Sequence, residues 1–411
     1  MATGEFGGAR GGREARCVAA VACAFLALVI AGPFAARASD GDAAETEAPA
    51  EPLRLVVSLG EQRIDVYRGL VAIDSSPVSS GQRGFETPAG VYSILQKRRW
   101  HRSNIYSRAP MPFMQRITWS GIALHAGHLP GRPASHGCIR LPGDFAEKLW
   151  AVTEIGVDVI VAPGAARPEP IEHQALLQPA PPWLDVEARI YAAGAAAGDE
   201  APSPPSNLGD IDPDADPMRA YRERPSSPLR VLITRRIGRE RMMDVQSLLA
   251  ELGHDPGEID GYLGSRTGRA IREFQKSSGA QPTGMMSEEL IDALHRAAGR
   301  ERVNGHLYVR QDYVDVLDTP AALADPETPL GTHVFTAMSF EDGATTTAWT
   351  VLTLTGDEAT GAARALERFT IPDEVRRTLS RLMTPGTTII VSDAGLGRET
   401  GMGTDFIVQP R

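Results

Sequence analysis

The stretch Pro133-Ala134-Ser135-His136-Gly137-Cys138-Ile139-Arg140-Leu141 combines a thiol, an imidazole two residues before it, an intervening glycine and a guanidinium two residues after it. A second imidazole, His125, follows the apolar run Gly121-Ile122-Ala123-Leu124. A cysteine with a histidine in reach is the minimum apparatus for acyl transfer through a thioester. The thiol must lose its proton to attack, and a free cysteine does so only near pH ~8.5. His125 comes from a separate segment, so the fold can set its approach, and it is read as the general base. His136 is read as an orienting group on the oxyanion side. Gly137 lacks a Cβ beside the nucleophile, so the backbone N–H groups of Gly137 and Cys138 are candidate oxyanion donors. One such donor contributes about 2.7–4 kcal/mol in acyl-transfer sites. Arg140 offers a planar fork suited to a carboxylate. Ser135, Arg140 and Trp119 are the expected substrate-binding residues.

Each residue has a plainer reading. A lone cysteine is more often a small buried hydrophobe, and His125 after an apolar strand is a candidate core histidine. Arg140 alone would be a surface ion-pair partner. His125, His128, His136 and Cys138 could in principle bind zinc, but their spacing fits no common structural zinc pattern. One reaction needs the thiol, the imidazoles and the glycine together, and that reaction requires no metal or organic cofactor.

Cysteine usage points the same way. The chain holds three cysteines. Cys17 and Cys23 fall within an apolar run, Cys17 to Ala31, behind Arg10, Arg13 and Arg16. Pro33 follows, then Ala36-Arg37-Ala38 before Ser39. This pattern predicts a signal peptide over 1–38, removed on export to the periplasm or cell envelope, with an uncleaved N-terminal anchor as the alternative. Cys138 would then be the single remaining thiol in an oxidising compartment, where an unused free cysteine is a liability.

The elements that must position these residues are mostly β. Leu53 to Leu59 alternates as a half-buried strand, and Arg63 to Arg68 returns after a turn. Weaker strands follow at Leu70–Ile73 and Pro77–Ser80. Thr87-Pro88-Ala89-Gly90 turns into Val91–Leu95. A helix from about Pro142 to Trp150, with Phe145, Leu149 and Val152 on one face, precedes a last strand over Val152 to Val161. The segment Lys97 to Arg108 is strongly basic. It is either a solvated loop or a flap whose cations meet an anionic substrate.

The 411 residues with 42% apolar content allow several domains with real cores. A net charge of −10 argues against a general nucleic-acid binder. Residues 39–52 form an acidic, aperiodic spacer. Residues 53–163 form the mostly-β domain, and 164–229 a Pro/Ala-rich linker, with a helix conceivable over Leu184 to Ala193. Residues 230–298 contain three short amphipathic helices without a catalytic cluster, a composition for binding rather than chemistry. In 303–411, Thr328-Pro329-Leu330-Gly331 echoes Thr87-Pro88-Ala89-Gly90, and Ile371-Pro372-Asp373 echoes Leu141-Pro142-Gly143. No Cys and no His-Gly-Cys lie in this last segment. It reads as a mixed α/β, degenerate copy of the first domain, with chance similarity as the alternative.

At these residues the sequence resembles the L,D-transpeptidase (YkuD-type) catalytic domain. The resemblance covers roughly Leu53 to Ala162 and rests on the Thr87–Gly90 turn, the His125 strand end and Ser135-His136-Gly137-Cys138-Ile139-Arg140. It implies a β-sandwich-like fold and a Cys138 nucleophile that takes the acyl group of a peptidoglycan stem tetrapeptide and releases D-alanine. His125 would be the base, and His136 would help shape the site. Acceptors would be an amine of another stem peptide or of an envelope protein, and carbapenems would acylate Cys138. The sequence departs from the family where Ala126 intervenes between His125 and Gly127. Arg241 to Ala298 resembles a three-helix peptidoglycan-binding domain through Val245-Gln246, Asp260-Gly261-Tyr262-Leu263-Gly264 and Ile271-Arg272-Glu273-Phe274-Gln275. The expected partners are therefore peptidoglycan stem peptides and glycan. Two rivals remain: a peptidase or amidase that resolves the same thioester with water, and a wall-binding scaffold without catalysis.

Overall fold

The structure is a computed structural model that describes residues 50–103, 108–180, 227–302, 304–341, 343–356, 359–397 and 399–410. The predicted signal peptide, most of the acidic spacer and the conceivable helix at 184–193 lie outside the described residues.

Strand β1 (Leu53–Ser58) is nearly continuously apolar because both of its faces are covered. Leu55 and Val57 pack into one core, while Val56 on the opposite face packs into another. Strand β1 pairs antiparallel with β2 (Arg63–Arg68), which pairs antiparallel with β3 (Val71–Pro77). On its other side β1 runs parallel to β9 (Asp158–Ala162), which pairs antiparallel with β4 (Gly90–Ser93). The sheet order is β3-β2-β1-β9-β4. A smaller sheet orders β5 (Gln96–Arg98), β6 (Met114–Arg116), β7 (Ala123–Ala126) and β8 (Ile139–Leu141). Helix α1 (Gly143–Val152) links β8 to β9 and buries Phe145, Ala146 and Leu149. Leu124, Ile139 and Leu141 of the small sheet share a core with Leu55 and Val57 of the large one. Val152, predicted on the inward stripe, is more than half exposed. Thr153 takes the inward place one residue later, its hydroxyl lying 2.7 Å from both Gln115 Oε1 and Leu149 O.

A second large sheet begins earlier than the sequence suggested. Strand β11 (Arg230–Arg235), expected within the helical module, runs antiparallel to β12 (Gly305–Gln311) and parallel to β17 (Thr388–Ser392). Strand β12 pairs with β13 (Val314–Leu323), and β17 pairs with β14 (Thr332–Ala337). The run β13-β12-β11-β17-β14 repeats the order and pairing senses of β3-β2-β1-β9-β4. Beyond β14 lie β15 (Trp349–Thr355) and β10 (Glu169–Ile171). Part of the predicted linker is therefore ordered. Pro170 sits on the edge strand, where its missing N–H is tolerated, and Leu176 and Leu177 enter the core of this sheet.

Helices α2 (Arg239–Glu251), α3 (Ser265–Ser277) and α4 (Glu288–Ala297) interrupt the chain between β11 and β12. Val245, Leu249, Ile271, Phe274 and Leu294 form their shared core. Ser287 caps α4 by accepting from the Leu290 N–H, as its position predicts.

The outer face of the first sheet is not solvated. Val56, Val91 and Ile160 pack with Leu232, Val334 and Ile390 of the second sheet. The C-terminal residues close this assembly. Val408 exchanges two backbone hydrogen bonds with Val91, at 2.8 and 3.1 Å, and Ile407 enters the core of the first domain. Gly90 makes room for this, because a Cβ there would lie 2.5 Å from the Val408 carbonyl oxygen. Ile407→Ala should therefore destabilise the first domain by about 2–5 kcal/mol, read as a lower urea midpoint of its transition.

Candidate active site

Strands β7 and β8 are parallel neighbours, with Leu124 opposite Ile139 and His125 opposite Arg140. Side chains alternate across a strand. Leu124 and Ile139 point into the core, so Ala123, His125 and Cys138 belong to the opposite face. The 127–138 connection thus delivers the thiol on the side of the sheet where His125 emerges. Both residues line a cleft of about 650 Å³, together with His128, His136, Arg140 and Met111.

The loop carrying Cys138 is sewn down by backbone and hydroxyl groups. The N–H groups of Ala134 and Ser135 both donate to Ser80 O at 3.0 Å, and Ser79 and Arg140 form a backbone bridge. Thr87 Oγ1 accepts from Gly81 N–H and donates to Gly137 O, each at 2.8 Å. Gly137 has φ +108°, a conformation that a side chain would strain.

His125 is only 8% exposed. Its Nδ1 lies 2.8 Å from Ala126 O. A carbonyl oxygen only accepts, so Nδ1 carries the proton and Nε2 is left as the basic nitrogen. Burial lowers the imidazole pKa, opposed by the Ala126 carbonyl and reinforced by Arg140 and His101. Burial raises the pKa of the Cys138 thiol, opposed by the Ala123 amide, Arg116 and Arg140. Both shifts favour the neutral forms of the ring and the thiol. The thiol donates to Gly121 O at 3.5 Å.

The remaining sequence candidates divide. His136 is exposed on the cleft wall, its ring edge-on to Phe85 with centroids 4.6 Å apart. Arg140 lines the cleft, and its stem crosses Gly127, where a Cβ would sit 3.1 Å from Arg140 Cγ. The spacing His125-Ala126-Gly127 thus keeps a glycine where the guanidinium stem needs clearance. Gly137 does not present its N–H to the cleft, because that group donates to Ser135 Oγ at 3.1 Å. Ser135 lines the cleft but is 2% exposed, and its hydroxyl also donates to Cys138 O. It fastens the loop with the group expected to meet substrate. Trp119 is 38% exposed and outside the cleft lining. Its N–H donates to Glu399, and Arg116 lies 6.0 Å over its ring.

The cations of the basic segment, read as either a solvated loop or a flap, are partly spent on structure. Lys97 donates to Trp150 O and Thr153 O at the C-terminal end of α1, and Arg99 pairs with Glu147 at 3.0 Å. The described part of the segment offers the cleft Ser103, and the apolar residues Ala109, Pro110, Met111 and Pro112 that follow it also line the cleft. Thr87, Gly121 and Arg116 escaped the sequence reading as site residues. Thr87 lay within the Thr87–Gly90 turn and Gly121 opened the run before His125, whereas Arg116 lay in no motif singled out. Among the described residues no group of three or more His, Cys, Asp or Glu side chains is placed to hold a metal ion.

A thiol and an imidazole of fixed tautomer thus line the same open cleft. Residues 52–161 match the L,D-transpeptidase catalytic domain. Residues 238–294 match the "Putative peptidoglycan binding domain". Solved L,D-transpeptidases are similar to part of the chain. One from Mycobacterium smegmatis is 22% identical, covering 27% of this chain and 58% of its own, with a TM-score of 0.26. One from Mycobacterium tuberculosis H37Rv is 28% identical, covering 27% and 57%, with a TM-score of 0.25. One from Stackebrandtia nassauensis is 25% identical, covering 30% and 60%, with a TM-score of 0.25. A Synechocystis protein described as "Putative OxPP cycle protein OpcA" is 44% identical over 63 residues, which are 15% of this chain and 13% of that protein. The chain spans less than two thirds of each of these relatives.

Burial favours the protonated form of the Cys138 thiol. Alkylation of Cys138 by iodoacetamide, followed by mass spectrometry, should keep rising through the ordinary thiol range around pH ~8.5. A plateau already reached at neutral pH would contradict this burial-raised pKa.

Proposed function

We propose that this protein is a cysteine L,D-transpeptidase of the cell wall. The observation that carries the reading is that Cys138 and His125, whose basic nitrogen is fixed by the Ala126 carbonyl, line one open cleft. Nε2 of His125 takes the thiol proton, and Sγ bonds to the acyl carbon of a stem tetrapeptide. The tetrahedral intermediate collapses by breaking the C–N bond to D-alanine, whose amine leaves with the proton from the imidazolium. With the Gly137 N–H spent on Ser135, the amide of Cys138 is the remaining oxyanion donor from the sequence reading. Arg140 and His136 on the cleft wall suit a substrate bearing carboxylates. An amine then attacks the thioester, releases the thiol and forms the new amide bond. The acceptor is a second stem peptide or an envelope protein.

The match over 238–294 supports a wall-binding role for the helical module and an envelope location. No helix among the described residues is long and apolar enough to cross a membrane. We read strand β11 with residues 305–410 as a second copy of the transpeptidase fold without the catalytic stretch. The shared strand order and the common Pro-capped helix support this reading: α6 (Asp373–Leu382) follows Pro372 as α1 follows Pro142.

The test incubates the purified protein with stem tetrapeptide, with and without an amine acceptor, and analyses products by mass spectrometry. D-alanine release and an amine adduct are expected, both falling about a thousandfold or more in Cys138→Ala. A carbapenem mass adduct should vanish in the same variant. Tripeptide alone in the presence of amine would assign the chemistry to hydrolysis. No product and no adduct would leave a binding scaffold.

A further inference from the structure

The turn that meets the Cys138 thiol is held from the far end of the chain. Residues Thr118 to Ile122 lead into β7. Thr118 Oγ1 accepts from Ile122 N–H at 2.9 Å and from the Ser120 hydroxyl at 3.0 Å. Gly121 sits at φ +117°, and its carbonyl accepts from Cys138 Sγ. Two successive N–H groups of this turn point away from it. Both meet one carboxylate: Trp119 N–H donates to Glu399 Oε2 at 2.5 Å, and Ser120 N–H to Glu399 Oε1 at 2.8 Å. Paired backbone donors on a single carboxylate make a charge-assisted clamp, stronger and better oriented than a neutral bond.

Glu399 is itself held in place. Thr404 Oγ1 donates to Glu399 O at 2.7 Å, Gly397 N–H donates to Ile407 O at 3.0 Å, and Ile407 N–H donates to Thr400 Oγ1 at 3.2 Å. Ile407 is buried in the core of the transpeptidase domain. The carboxylate therefore hangs from a loop whose root lies in the domain that it clamps.

We propose that Glu399 is a positioning residue for Cys138: it fixes the 118–122 turn so that the Gly121 carbonyl faces the thiol and holds its proton until substrate arrives. The inference rests on Cys138 being the nucleophile. A carbonyl that accepts from S–H favours the neutral thiol, so loosening the turn lowers the proton affinity of sulfur. The other groups that bear on the thiol lie outside the 118–122 turn. They are Arg116 on β6, the Ala123 amide and His125 on β7, and Arg140 on β8, with His128 and His136 on the cleft wall and His101 acting on His125. The Ala123 amide, Arg116 and Arg140 favour the thiolate, whereas burial and the Gly121 carbonyl favour the thiol.

The experiment follows iodoacetamide alkylation of Cys138 in the full chain from pH 6 to 11 by mass spectrometry. The limiting rate at high pH reads access to sulfur, and the midpoint reads its proton affinity. In Glu399→Ala the midpoint should fall by about half a pH unit, equivalent to about threefold faster alkylation below the midpoint. In Glu399→Gln the fall should be smaller, because the amide oxygen still accepts from one N–H. The Gln variant preserves side-chain volume and decides the matter if the Ala variant does not fold. Superimposable midpoints in wild type and Glu399→Gln, or a rise in either variant, would overturn the proposal. If wild type shows the expected midpoint difference from its variants but none of the proteins turns over stem tetrapeptide, the proposed transpeptidation fails while the role of Glu399 stands.

Discussion

The pairing of β7 with β8 sets the chemistry of this molecule. Leu124 opposite Ile139 gives the core two large side chains, and the same register leaves His125, Cys138 and Arg140 for the cleft. A slip of one residue would send each of these side chains through the sheet to the wrong side. The buried leucine and isoleucine oppose that slip, because it would also expose both of them to water. The hydrophobic core thus specifies where the thiol lies, and the turns at Thr87 and Ser79–Ser80 fix the loop once the register is set.

The two large sheets impose a second constraint through charges taken out of water. Arg54 is completely buried, donates to Thr350 Oγ1 at 3.1 Å, and has its pKa lowered to about 10, mainly by burial. Arg230, at the matching place on β11, donates to Asp158 at 2.8 Å and to Gly156 O at 3.2 Å. Such buried charges give little net stability, but separating a pair is costly. Asp158 belongs to the first large sheet and Arg230 to the second, so this pair opposes any shift of one sheet across the other.

Much of this was legible in residue order. The strands at Leu53 to Leu59 and Arg63 to Arg68, the helical stripes around Val245, Ile271 and Leu290, and the cap at Ser287 follow local rules, but the alternation that suggested a half-buried first strand misses its second covered face. The grouping of Cys138, His125, His136 and Arg140 around one cleft follows from motif spacing. What was not legible depends on contacts distant in sequence. Strand β11 resembles a prelude to the helices, because its partners β12 and β17 lie far downstream. Residues 169–177 look like linker, since Pro170 conceals an edge strand and the leucines find their core only in the second sheet. Ser135 and Gly137 look like substrate groups until the Gly137 N–H is seen to donate to Ser135 Oγ and the Ser135 hydroxyl to Cys138 O. Glu399 carries no local signal, because its meaning lies in two amides near Trp119.

The interruption of the second sheet between β11 and β12 has a mechanical side. The helical module leaves the sheet through one strand and returns through the adjacent one, so it is fastened at both ends rather than trailing on a single leash. Proteolytic nicking of either connection would leave the module attached by the other. The pairing of β11 with β12 requires the chain ends flanking the module to come together. A pre-folded bundle shortens that search by bringing its own termini close, so assembly of the sheet should follow the helices in time.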